Sequence, residues 1–132
     1  MIVVLDANAG IEIALDLPRA NQFMQFVESA DKVITSSLYK AEVANVIWKY
    51  VKSGHIPKSS ASEKLDLAQG LVDEFIDCSE NNDESLNESI RIGHSVYDML
   101  YFTLARRTGA KMLTIDKKLK EICVKSGIDV LE

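Results

Sequence analysis

Three observations predict an α/β fold built on a parallel sheet. Ile2 to Leu5 is an unbroken apolar run, mostly β-branched, that stops at Asp6; such a run marks a strand buried on both faces. Further short apolar runs at 32–35, 111–115 and 128–131 alternate with segments of helical periodicity. No repeat, low-complexity segment or linker divides the 132 residues. Residues 1–132 therefore read as one domain, a short parallel sheet of about four to five strands flanked by helices.

The elements follow in order. After the first strand, Ala9 to Leu15 is a short helix candidate. Pro18 suits the first turn of the next helix, which carries Phe23, Phe26, Val27 and Ala30 at helical spacing. Lys32 to Thr35 is a second strand. Ser36 or Ser37 can cap a helix reaching Lys52, closed by Ser53-Gly54 and Pro57. Ala61, Leu65, Ala68, Val72 and Phe75 recur at steps of three and four, which predicts one long amphipathic helix. Cys78 to Asp83 is polar and reads as a loop. Glu84 to Ile92 is a further helix, closed by Gly93. Ser95 caps a helix to Arg107 with Gly109 at its end. Lys111 to Ile115 is a strand running into Asp116. Lys117 to Lys125 is a helix ended by Gly127, and Ile128 to Leu131 is the last strand.

Apolar residues make up 47% and charged residues 27%, the balance of a globular chain. No run approaches the ~18 apolar residues of a membrane span. The first strand starts right after Met1, so no signal peptide is expected. Cys78 and Cys123 lie far apart and outside any C-x-x-C, as expected of free thiols in a reducing cytoplasm. The net charge of −5 argues at first against a nucleic-acid partner. Nine acids and one base fall between Glu63 and Glu88, however, which leaves 14 bases and 11 acids elsewhere. Arg91, Arg106, Arg107, Lys111, Lys117, Lys118 and Lys120 gather in the C-terminal part, either as solvated helix faces or as a phosphate-binding footprint. Lys49 and Lys52 share a helix face with Glu42.

Open α/β sheets bind ligands beyond the carboxyl ends of their strands. Asp6 and Asp116 fall at two such ends, and Asp98 lies in the first turn of a helix. Each acid has an ordinary explanation. Ser95-x-x-Asp98 resembles a capping box, Asp116 can cap its helix, Asp6 can open a turn, and Glu42 can lie on a wet face with Asn45, Lys49 and Lys52. Together they call for another. Two carboxylates ~5 Å apart repel by about 3 kcal/mol at an effective dielectric of ~20. A pocket of three or four is relieved by a divalent cation that prefers oxygen ligands. Zinc fits poorly, because His55 and His94 are isolated and no Cys has ligand spacing. Carboxylate Mg²⁺ sites usually act on phosphates, polarising the phosphoryl oxygen and acidifying a water. No G-x-S-x-G, Walker A or dinucleotide fingerprint offers a different chemistry.

The motifs around these acids resemble those of PIN-domain nucleases. Val4-Leu5-Asp6-Ala7-Asn8 looks like the family's opening strand, and Ser37-Leu38-Tyr39-Lys40-Ala41-Glu42-Val43 is similar to its second motif. Ser95-Val96-Tyr97-Asp98-Met99-Leu100-Tyr101 followed by Leu104-Ala105 looks like the third. The run from Gly109 to Leu119, with Thr114-Ile115-Asp116 at its centre, is similar to the fourth. Where some members carry a further acid after the fourth motif, this chain has Lys117 and Lys118. Length and compactness are similar to those of the toxins of VapBC-type toxin–antitoxin pairs.

The resemblance implies a PIN-like α/β domain, dependence on Mg²⁺ or Mn²⁺, and endonucleolytic cleavage of RNA. It also implies frequent homodimers and an antitoxin partner in the active-site groove. By position, Asp6, Asp98 and Asp116 would be metal ligands, and Glu42 would ligate directly or through water. Asn8 and Thr114 would orient carboxylates or waters. Apart from the resemblance, the basic residues near Arg106 to Lys120, with Lys49 and Lys52, are candidates to hold phosphates, and the apolar surface from Ile11 to Leu17 is the candidate dimer contact. Two other readings are a receiver-type phosphoacceptor domain and a catalytically inactive PIN-like binding module. The first wants a phosphoacceptor Asp ending a central strand, where this chain has Thr35-Ser36-Ser37.

Overall fold

The computed structural model describes all 132 residues. The strands are β1 (Ile2–Leu5), β2 (Lys32–Ser36), β3 (Glu74–Ile76) and β4 (Lys111–Leu113). The helices are α1 (Ala7–Ala14), α2 (Ala20–Ser29), α3 (Leu38–Lys52), α4 (Ala61–Gly70), α5 (Asn82–Ile92), α6 (Val96–Thr108) and α7 (Lys117–Lys125). The strands form one all-parallel sheet in the order β3-β2-β1-β4. Helices flank it, as the α/β reading expects. No helix is long and apolar enough to cross a membrane.

β1 is central because it is apolar on both faces. Val3, Val4 and Leu5 are fully buried, and Met112 and Leu113 of β4 lie beside them. α6 packs across β1 and β2 and is buried continuously from Met99 to Ala105. A buried polar network fastens it to α5: Asn81 Nδ2 donates to the Leu100 carbonyl (2.9 Å) and to Thr103 Oγ1 (2.8 Å), and Ser85 Oγ bonds Thr103 Oγ1 (2.9 Å). Such a network fixes a helix only when every member is satisfied, as here. α1 packs closely on α3 and α4: Gly10 touches the Tyr39 ring, and the Tyr39 hydroxyl donates to the Ala68 carbonyl at 2.6 Å.

Several elements differ from the sequence expectation. The long helix stops at Gly70, and Phe75 belongs to strand β3. Asp73 turns the chain there: its carboxylate accepts from the Val33 N–H (2.7 Å) and its own N–H donates to the Val33 carbonyl (2.8 Å). The backbone of 74–76 gains more by pairing with β2 than by extending a helix. The 128–131 strand is reduced to a single parallel bridge between Val130 and Met112. Pro18 precedes α2 by two residues. Ser36 Oγ accepts from Leu38 N–H (3.2 Å), while Ser37 Oγ accepts from Cys78 N–H (3.0 Å), joining α3 to the end of β3. In the 11–17 segment Ile11 and Ala14 are buried, and Ile13, Leu15 and Leu17 are partly buried against the core. Large exposed apolar side chains lie elsewhere, at Trp48, Ile90, Tyr97 and Val124.

Candidate functional site

Because all strands are parallel, their carboxyl ends share one edge, and the predicted acids gather along it. Asp6 follows β1 and is the N-cap of α1; its Oδ1 accepts from the Ala9 N–H at 2.9 Å. A strand-to-helix turn leaves free N–H groups at the helix start, and Asp satisfies one of them. Asp6 Oδ2 accepts from Thr114 Oγ1, just beyond β4. Thr114 Oγ1 in turn accepts from the Asp116 N–H at 3.0 Å. Asp116 is the N-cap of α7, its Oδ1 accepting from Lys118 N–H (2.9 Å) and Leu119 N–H (3.0 Å). Asp98 lies in the first turn of α6, where Ser95 Oγ accepts from its N–H at 3.3 Å. Glu42 comes from the second turn of α3, following β2.

Asp6 is almost wholly buried, and Glu42, Asp98 and Asp116 are half-buried. Burial pushes the Asp6 carboxyl up from 3.8 to about 7. The Thr114 hydroxyl and the Ala9 N–H pull the other way, and the charges of Asp98 and Glu42 add to the rise. Burial also raises Glu42; the Tyr101 hydroxyl opposes this and Asp98 reinforces it. Asp6, Glu42 and Asp98 thus repel one another across a desolvated edge. Asp116 joins them structurally through Thr114.

Two hydrogen bonds at this edge go beyond the sequence expectation. Tyr101 OH donates to Glu42 Oε1 at 2.5 Å, and His94 Nε2 bonds Asp98 Oδ2 at 2.6 Å. Burial above all, then Glu42, keeps the Tyr101 hydroxyl protonated. The spacing held part of the signal: Asp98 and Tyr101 stand three residues apart, which puts them on one side of α6, while His94 lies just before its Ser95 cap. Asn8 is exposed in the first turn of α1 and makes no side-chain hydrogen bond. His55 bonds Ser53 Oγ at 2.5 Å, away from the acids.

The expected phosphate-holding bases narrow considerably. Arg106 pairs with Glu84 (2.6 Å) and Glu88 (3.1 Å), Arg107 with Glu84 (3.2 Å), Arg91 with Glu88 (2.5 Å) and Lys120 with Glu132 (3.2 Å). The acidic 63–88 segment therefore neutralises much of the C-terminal basic cluster. Lys117 and Lys118, beside Asp116, and Lys49 and Lys52 on α3 are exposed and form no salt bridge.

As arranged, no three acidic, His or Cys side chains close around a single point that could hold a metal ion. Each acid is instead engaged by a donor of the protein and keeps acceptor capacity, since a carboxylate offers about four lone pairs. Hard oxygen donors that repel one another, one of them buried, make a donor set suited to Mg²⁺ or Mn²⁺.

The family model for the PIN domain matches residues 3–125. Ribonuclease VapC3 of Pyrobaculum aerophilum is 30% identical over 134 residues, covering 92% of this chain and 94% of that protein. A crystal structure of another protein from Pyrobaculum aerophilum superposes with a TM-score of 0.74 at 23% identity, covering 92% of this chain and 86% of that one. VapBC2 from Rickettsia felis, solved bound to a DNA fragment from their promoter, gives 0.68 at 21% identity, covering 98% of this chain and 97% of that one. Mycobacterium tuberculosis VapC20, a sarcin-ricin loop cleaving toxin, gives 0.71 at 12%, covering 91% and 94%. At these identities the structural likenesses establish the fold, and the family rests on the domain match and the sequence relative. The chain belongs to the PIN-domain family.

Proposed function

We propose that this protein is a Mg²⁺- or Mn²⁺-dependent endoribonuclease and the toxin of a VapBC-type pair. The observation that carries the reading is the buried carboxyl of Asp6 at the end of the central strand, raised to about 7 in an edge it shares with Glu42 and Asp98. Ionising that carboxyl beside two like charges costs stability at neutral pH, and a bound divalent cation would relieve the cost. The name of the VapC3 relative and the VapBC and VapC neighbours support RNA as substrate and an antitoxin as partner. A homodimer is part of the same reading.

Asp6, Asp98 and Asp116 would hold the metal, and Glu42 would hold it directly or orient a water. When bound, the metal supplies charge to the phosphoryl oxygen and acidifies water. Thr114 fixes the Asp6 carboxylate and the turn that presents Asp116. Lys117 and Lys118 would contact phosphates, which positions a strand without reading its sequence.

The test is cleavage of a structured RNA mixture with Mn²⁺ and with EDTA, by wild type and by Asp98→Asn. Metal-dependent cuts that vanish in the variant support the reading. Equal cutting by both proteins would place the chemistry elsewhere. No cutting by wild type, together with no stabilisation by Mn²⁺, would favour an inactive binding module.

A further inference from the structure

Glu42 differs from the other acids in how it is held. Asp6 and Asp116 sit at N-caps, where free backbone N–H groups orient their carboxylates. Asp98 is engaged by His94, four residues away on its own chain segment. Glu42 is the fifth residue of α3, past the free N–H groups of the first turn. The one hydrogen bond its long side chain makes comes from another element.

That anchor is on α6. The Tyr101 side chain is 1% exposed and belongs to the central hydrophobic core together with Tyr39, Met99 and Leu104. Close packing leaves its ring no freedom to swing. Its hydroxyl reaches across to Glu42 Oε1 at 2.5 Å and has no other hydrogen-bond partner in the protein. A Phe would fill nearly the same space, so the core does not need the oxygen.

We propose that Tyr101 is a positioning residue: its core-fixed hydroxyl holds Oε1 of Glu42 and so presents Oε2 to the metal that the acidic edge binds. This rests on the metal-dependent reading given above. Groups that orient metal-holding side chains typically change metal affinity about 10- to 100-fold when removed.

The experiment is Mn²⁺ binding followed by the electron paramagnetic resonance of free Mn²⁺, in wild type, Tyr101→Phe, Glu42→Gln and the double variant. Melting in EDTA serves as the check on folding. The expected result is Mn²⁺ binding weakened about 10- to 100-fold in Tyr101→Phe, with melting in EDTA close to wild type. In the Glu42→Gln background Tyr101→Phe should cause no further loss, because the hydroxyl acts only through that carboxylate. Unchanged Mn²⁺ binding in Tyr101→Phe overturns the proposal while leaving the metal site standing. So does a loss that persists in full in the Glu42→Gln background. Wild type that binds no Mn²⁺ overturns the metal-dependent reading and this proposal with it. If Tyr101→Phe does not fold, wild type labelled at the tyrosine ζ-carbon and titrated with Mg²⁺ decides: the Tyr101 resonance must move along the binding curve, and a stationary resonance refutes the role.

Discussion

Thr114 Oγ1 donates to Asp6 Oδ2 and accepts from the Asp116 N–H at 3.0 Å, so one buried hydroxyl ties together the carboxyl ends of β1 and β4. The Asp6 carboxylate and the backbone turn at Asp116, at opposite ends of the chain, are tied to the same atom. Thr114→Val keeps the shape and removes both bonds. It should destabilise the fold by about 1–3 kcal/mol, since it strands a buried carboxylate and an N–H. It should also raise the Asp6 carboxyl above its already elevated value. Urea unfolding, with carboxyl titration by NMR, measures both; an unchanged Asp6 titration would show that the hydroxyl does not govern that carboxylate.

The raised Asp6 sets the pH dependence of stability. Its folded value of about 7 lies above the ordinary 3.8. The proton is therefore held more tightly in the native state. Stability from this group is fully present below about pH 4 and is lost as pH rises through about 7. The rise of about three units corresponds to at most roughly 4 kcal/mol at about 1.4 kcal/mol per unit. Asp6→Asn, which keeps an N-cap acceptor, should be more stable than wild type at pH 8 in EDTA, by an amount that shrinks toward pH 5. Denaturation curves at the two pH values test this, and a variant less stable than wild type at pH 8 would contradict it.

Metal should reverse that penalty. Mn²⁺ at about 100 times its dissociation constant stabilises a native state by about 2.7 kcal/mol. The shift in melting temperature should be larger at pH 8, where the Asp6 proton is gone, than at pH 5. It should fall sharply in Asp6→Asn and disappear on adding EDTA. Equal shifts in wild type and variant would assign the ion to some other place.

The bases should separate into two groups. Arg106 already spans Glu84 and Glu88, whereas Lys117 and Lys118 are exposed beside Asp116. In an Asp98→Asn background that prevents cleavage, Lys117→Ala with Lys118→Ala should weaken RNA binding and flatten its salt dependence. The slope should drop by about 0.7 for each phosphate of a single strand that the protein ceases to neutralise. Arg106→Ala should change RNA binding little and cost about 0–1 kcal/mol of stability per exposed pair. The opposite ranking in a salt titration would place the RNA on α5 and α6.

Gly10 has no room for a methyl group, because a Cβ there would run into the Tyr39 hydroxyl and ring. Gly10→Ala should cost about 1–3 kcal/mol through overpacking, despite the better helix propensity of Ala. It should weaken the Tyr39 bond to the Ala68 carbonyl that joins α3 to α4. Thermal unfolding gives the answer, and a stabilised variant would show that the neighbouring ring yields easily.

Local signals in the chain were sufficient for the β1 run ending at Asp6, the Ser95 cap of α6, the Gly109 stop and the helix after Asp116. These depend on periodicity, caps and turn residues within a few positions, and such features survive without knowledge of the fold. Asp6, Asp98 and Asp116 were legible as candidates for the same reason, each standing at a strand end or a helix start, whereas Glu42 was legible through the resemblance of its motif. What local pattern could not decide was pairing. Phe75 continued a helical spacing, yet β2 offered its segment an open sheet edge, and Glu74–Ile76 became a strand. Val130 lay in a strand-like run, and only one bridge to Met112 formed. Arg106 and Arg107 looked free until α5 brought Glu84 and Glu88 beside them. The sequence by itself determined the fold class and marked the acids as candidates, because those readings follow from short-range rules. The Tyr101 bond to Glu42 spans 59 positions, and the Thr114 bond to Asp6 spans 108. Bonds across that separation exist only once the sheet order is set and the helices are packed, so the tertiary structure alone decided what holds Glu42 and the second oxygen of Asp6.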